Sequence, residues 1–253
     1  MLARVPLADL FAVVVVFARL GTALAFLPGF SAGYVSPRMR LVFGLAISAL
    51  VAPSLGAAIP AIPQSTAVLG LLLVREAAVG LFFAVLARIA MAALQTAGTV
   101  VAFLGSFANA LVQDPVADQQ SATIAGFFSM IGITLVFVTD LHHLMLQAAA
   151  TSYGLFSPGA PLDMGDFCAA ISRNVADSFS LGVQLSAPFI IINLVYNVGL
   201  GLLGRMMPQL QVFFFGLPMQ IMLQIWVMML TISGIMLVFM DYFAKVVGGG
   251  PVG

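Results

Sequence analysis

Between Thr66 and Ala108 the chain runs through an apolar tract interrupted by only three charged side chains, Arg75, Glu76 and Arg88. As a straight helix it would measure about 65 Å at 1.5 Å per residue, twice the roughly 30 Å of hydrocarbon in a bilayer. Such a segment cannot sit in water, because it has too little polar surface to solvate. In lipid it must bend, break or project, and Gly98 and Gly105 are the expected break points. Other apolar runs cover 7–27, 41–59, 121–148, 176–203 and 212–246, and the longer of these also exceed one crossing. The expected fold is therefore an all-α integral membrane protein. It has about six long apolar helical segments, several of them kinked or forming hairpins, in a single membrane domain over 1–253. Composition agrees: 62% of residues are hydrophobic and 7% charged, against about 25% charged in soluble domains.

Few functions survive this reading. Nine basic and nine acidic residues leave no net charge, so nothing favours nucleic acid. A single cysteine, Cys168, excludes an intrachain disulfide and a cysteine-built metal site. No GxSxG, P-loop, dinucleotide or zinc motif is present. No Ser or Thr has a partnered base, so an intramembrane hydrolase has no catalytic set and no cofactor is implied. Arg4 and the apolar run behind it imitate a signal peptide, but Asp9 and Arg19 interrupt the core, so the segment is read as a retained span. Arg38, Arg40 and Arg205 fall on one side of a six-span layout and Arg4, Arg173 and Lys245 on the other, so the positive-inside rule imposes no orientation. The polar segment 151–173 is the only sizeable loop, and 247–253, ending GGGPVG, is expected to be a flexible tail.

Polar residues inside apolar spans carry the information. Arg19, Arg75, Glu76, Arg88 and Asp140 each cost about 2.5–3.5 kcal/mol at mid-bilayer, so they should face other helices or water. Arg75 and Glu76 are adjacent and diverge by about 100° on a helix, which predicts separate partners. Arg19, Arg38 or Arg40 could reach Glu76, a carboxylate too short to snorkel. For Arg88, interior pairing and interfacial snorkelling stand level. Asp140, His142 and His143 suggest a metal or proton site, but adjacent histidines point to different faces of a helix and neither an HExxH motif nor a second carboxylate cluster supports a catalytic metal, so a polar span end is the favoured reading. Ala84, Ala87, Ala90, Ala93 and Ala97, and then Gly199, Gly201 and Gly204, are small residues at helical spacing that allow close backbone approach, within the chain or between subunits. Met222, Met229 and Met236 recur every seven residues, which fits a packing seam better than a pore gasket.

Two connections stand out. Phe103–Pro115, FLGSFANALVQDP, leads from an apolar helix into an Asp114-Pro115 turn, either an ordinary loop or a re-entrant one facing a cavity. Asn193–Pro218 places Arg205, Pro208 and Gln209 between apolar segments, followed by Phe213, Gly216 and Pro218. Pro188 and Pro218 should kink their helices, and the freed groups require protein neighbours.

Taken in order, these elements resemble the FliR family of flagellar and type III secretion export-apparatus subunits, over about residues 10–245. The resemblance rests on Pro28 with Arg38 and Arg40, on Arg75-Glu76 with Gly80, on Gly98 through Asp114-Pro115, and on Asp140-Leu141-His142-His143. It continues through Ser152, Pro158-Gly159 and Pro188, and is strongest at Gly201-Leu202-Leu203-Gly204-Arg205-Met206-Met207-Pro208-Gln209 with Phe213, Gly216 and Pro218. The chain departs from the family pattern at Asn197, where an acidic residue is common nearby, and in a Gln-rich stretch after Pro115.

The resemblance implies a non-enzymatic subunit of an export gate in the bacterial inner membrane, at the flagellar basal body. It would be built with FliP and FliQ, flanked by FlhB and FlhA-like components, and passed by unfolded exported proteins. It further implies that Phe103, Gly105, Phe107, Asn109, Asp114 and Pro115 belong to a plug-like loop. Pro188, Gly201, Gly204, Arg205, Pro208, Gln209, Phe213, Gly216 and Pro218 would form the kinked assembly region. The rival reading is a stand-alone secondary transporter or small-solute channel, supported by intramembrane charges and broken helices but lacking any internal repeat.

Overall fold

A computed structural model describes residues 7–33, 35–105, 120–206 and 212–249; side chains of 56–57, 120–123 and 212–215 are outside the description. All regular structure among these residues is helical: α1 (Leu7–Phe26), α2 (Pro37–Val51), α3 (Thr66–Leu104), α4 (Gln120–Val138), α5 (Leu141–Thr151), α6 (Met164–Met206) and α7 (Val212–Gly248), with 3-10 turns at Ala52–Ala58 and Ser152–Gly154. Helix is the only open-ended element whose backbone groups are all satisfied without water. Among the described residues, five helices are long and apolar enough to cross a membrane, or six if the broken α4–α5 pair counts as one span.

The apolar tracts become helices with local start and stop signals. Ser36 caps α2, its hydroxyl accepting from the Met39 amide at 3.3 Å, and Pro37 fills the first turn. Asp163 opens α6 by accepting from the Gly165 amide at 2.8 Å, and Asp166 adds a negative charge to its first turn. α6 therefore begins well inside the polar segment 151–173. α7 likewise continues to Gly248, into the stretch expected as tail.

Of the two expected break points in the longest tract, Gly98 does not interrupt it: α3 is continuous over 39 residues, about 58 Å, and ends at Leu104, next to Gly105. Gly98 lies inside it, where an added Cβ would collide with the Ala125 backbone. That glycine serves close packing rather than a bend. The 121–148 tract is the one that breaks, at Thr139–Asp140, and Asp140 is the only described non-glycine residue with positive φ (60°). Pro188 and Pro218 lie inside α6 and α7, whose helical assignment runs through both.

Two compact units partition the chain: 1–90, 137–174 and 243–253 form the first, and 91–136 and 175–242 the second. In the first, α1 and α2 pack as a close hairpin, with Gly44 set against Gly21 and Phe17. Val16, Leu20 and Ala23 face Ala52, Ala149 and Tyr153 in its core. In the second, Gly132 of α4 receives Leu94, and Gly182 of α6 lies on Thr96 and the Ala93 carbonyl of α3. The five α3 alanines are all 0–2% exposed, so that stripe is used for packing within the chain.

Candidate functional site

The first unit is organised around a buried arginine. Arg19 of α1 is 1% exposed. Its Nε donates to Glu76 Oε2 at 2.8 Å, one Nη to Ser152 Oγ at 3.1 Å and the other to the Phe156 carbonyl at 2.8 Å. The guanidinium carbon lies 3.9 Å from the Tyr153 ring centre, close enough for a cation–π contact. Glu76 is also 1% exposed. One cation thus joins α1, α3 and the turn after α5, and every guanidinium nitrogen has a partner.

The approach has a backbone cause. Gly80 follows Glu76 by one turn on the same face of α3, and a Cβ there would collide with the Arg19 carbonyl. The bare glycine brings α1 close enough for the arginine to reach the carboxylate. On the other side, Phe156 is held by Phe167 (5.3 Å, stacked) and Phe83 (6.4 Å), and Phe167 meets Phe82 edge-on at 4.3 Å.

The other cations have separate partners. Arg75 donates to the Gly159 carbonyl at 3.2 Å, in a turn where Gly159 has φ 82°. Arg88, exposed, donates to the Phe26 carbonyl at 2.7 Å and to Ser31 Oγ at 3.0 Å. It thereby caps the C-terminus of α1, where helix carbonyls lack intrahelical partners. Arg40 holds the preceding loop through the Ala32 and Val35 carbonyls. The fifth charge, Asp140, lies 3.6 Å from His143 Nδ1. The His142 and His143 rings are 4.1 Å apart, so their side chains meet although the residues occupy adjacent helical positions in α5.

In the second unit, polar groups tie the α6–α7 hairpin to the end of α3. Gln220 Nε2 donates to the Leu104 carbonyl and to Asn193 Oδ1, both at 2.8 Å. Tyr196 donates to the Gly216 carbonyl at 2.6 Å. Leu200 packs over that glycine so closely that a Cβ there would stand 3.1 Å from its methyl group. Gln220 therefore caps the helix from which the Phe103–Pro115 segment departs. Gln220 was not among the residues expected to matter; the presence of a second amide, Gln224, four positions on in the same apolar helix is the sequence signal that finds it.

Of the segment expected as a plug, Phe103 is 77% exposed and Gly105 is buried, its amide donating to the Val101 carbonyl at 2.9 Å. Phe107, Asn109, Asp114 and Pro115 lie outside the described residues, as do Pro208 and Gln209 and the Phe213 side chain. Gly201, Gly204 and Arg205 are exposed at the end of α6, and neither glycine has an atom within 4 Å of where a Cβ would stand. Among the described residues this small-residue stripe, unlike the α3 alanines, has no packing partner within the chain. Met222 and Met229 are 57% and 68% exposed while Met236 is buried, so the methionine repeat is only partly covered by the chain.

The family model for bacterial export proteins, family 1, matches residues 10–246. The flagellar biosynthetic protein FliR of Caulobacter vibrioides is 36% identical over 230 residues, 91% of this chain and 92% of that protein. The protein of the same name from Bacillus subtilis is 30% identical over 69% of this chain and 68% of its own length. That of Escherichia coli is 30% identical over 73% of this chain and 70% of its own.

Proposed function

The chain belongs to family 1 of the bacterial export proteins, and from that membership we propose that it is a non-enzymatic subunit of the flagellar protein-export gate. The observation that carries the reading is a match along nearly the full length to a FliR protein. In this reading the multi-pass chain sits in the inner membrane at the flagellar basal body. It assembles with FliP and FliQ around a channel, beside FlhB and FlhA-like components, and unfolded flagellar proteins pass through.

Physical features support an assembling subunit over a self-contained one. The α6 end presents Gly201, Gly204 and Arg205 together, exposed among the described residues. Small residues permit close helix approach in lipid, and an arginine there needs a partner or water. α3 ends at Leu104, whose carbonyl accepts from Gln220, and in this reading the Phe103–Pro115 segment at that end serves as the channel plug. No loop is long enough for a separate catalytic domain, and the sequence carries no catalytic motif.

Co-expression with FliP and FliQ tests the proposal. All three should co-purify as one complex, and deleting the gene should abolish motility and flagellin export. Recovery of the chain alone, together with solute transport by it in liposomes, would replace this reading with a transporter.

A further inference from the structure

We infer that Asp140, His142 and His143, at the break between α4 and α5, form a binding site for one divalent cation of the zinc class. One ligand atom from each residue lies within 4.8 Å of the others. Tetrahedral bonds of 2.0–2.2 Å set ligand atoms about 3.4 Å apart, so side-chain rotation closes the set without moving a helix. Two imidazoles and a carboxylate suit Zn²⁺, Co²⁺ or Ni²⁺, with water completing the shell. Ca²⁺ and Mg²⁺, which require oxygen ligands, are excluded.

The surrounding geometry leaves these groups uncommitted. Asp140 stands at the N-cap of α5, yet its side chain makes no capping hydrogen bond, the usual reason for an acid at that position. Its φ of 60° and ψ of 13° lie in the left-handed region, which L residues adopt uncommonly. Its carboxylate faces His143 Nδ1 at 3.6 Å, beyond hydrogen-bond length. Both side chains are open to solvent, at 76% and 71% exposure, so an ion can enter.

The third ligand is held from beneath. The His142 ring stacks on Phe137 at 4.9 Å. Phe137 in turn packs against Phe30 at 5.6 Å and over Gly29, where a Cβ would collide with its ring. His142 Nδ1 is buried without a hydrogen-bond partner, an uncompensated group of the kind that bound ions or water satisfy. A cation held by this set would tie the left-handed residue to the first turn of α5 and fix the break.

The chain contains only two histidines and one cysteine, which makes the test clean. The full-length chain, purified in detergent without a histidine tag, is titrated with Zn²⁺ by calorimetry and with Co²⁺ by visible absorption. One equivalent of Zn²⁺ should bind and should displace Co²⁺, while Ca²⁺ and Mg²⁺ should not. D140N and H143Q should each weaken Zn²⁺ binding at least about tenfold, and H142Q/H143Q should remove the Co²⁺ absorption. Asn tolerates the left-handed conformation and His143 is exposed, so both single variants retain the fold, as circular dichroism will register. Absence of saturable binding, or equal affinity in wild type, D140N and H143Q, overturns the inference.

Discussion

Removing the Glu76 carboxylate should cost this protein more than any other single truncation of a polar side chain in its first unit. In Glu76→Ala the guanidinium of Arg19 stays 1% exposed but loses the partner that accepts from Nε at 2.8 Å. Ser152 and the Phe156 carbonyl remain, yet neither carries charge. Leaving one member of a buried pair uncompensated costs about 3–5 kcal/mol. At about 2–4 °C per kcal/mol for a chain of this length, Tm should fall by about 6–20 °C. The assay is thermal unfolding of the detergent-purified chain, followed by circular dichroism, for wild type, E76A, R19M and R19M/E76L. Apolar replacement of both partners removes the desolvation cost along with the attraction, so the double variant should recover at least half of the loss in E76A. A fall of under about 2 °C in E76A, or a double variant with additive losses, would refute the claim that the two charges are energetically coupled.

Gly80→Ala should lower stability by about 1–3 kcal/mol, although alanine is the better helix former by about 1 kcal/mol, because the new methyl meets α1 backbone; a raised Tm would show that the helices part freely. Deleting Gly105–Val112 should increase ion leakage in bilayer recordings of the assembled complex, and unchanged conductance would remove the plug reading. Arg205→Ala should reduce recovery of partner subunits by affinity purification; full recovery with normal motility would make Arg205 a lipid-facing cation.

Much of the fold was legible from the chain because lipid leaves few choices. Once Thr66–Ala108 is too apolar for water, backbone satisfaction dictates helix, and apolar length bounds the element. Boundaries were less legible where a glycine had two physical uses. Gly98 and Gly105 look alike in sequence, but Gly105 ends α3 and Gly98 admits Ala125. The break fell instead at Asp140, a residue with no such freedom, which hydrophobicity cannot locate.

Charge type and isolation in apolar surroundings announced by themselves that Arg19, Arg75, Glu76, Arg88 and Asp140 would need partners, since an unpaired ion in hydrocarbon is too costly. Which partner each obtains depended on helix proximity. Arg19, Arg38 and Arg40 were chemically equivalent candidates for Glu76. The contact of Gly80 with the α1 backbone brings Arg19 to it and leaves Arg40 on loop carbonyls. The small-residue stripes divide in the same way: composition allowed both to pack, and only the tertiary arrangement buries the α3 alanines while leaving Gly201 and Gly204 open among the described residues. Sequence sets the free-energy cost that must be offset, but distances between segments far apart in the chain decide which contacts offset it.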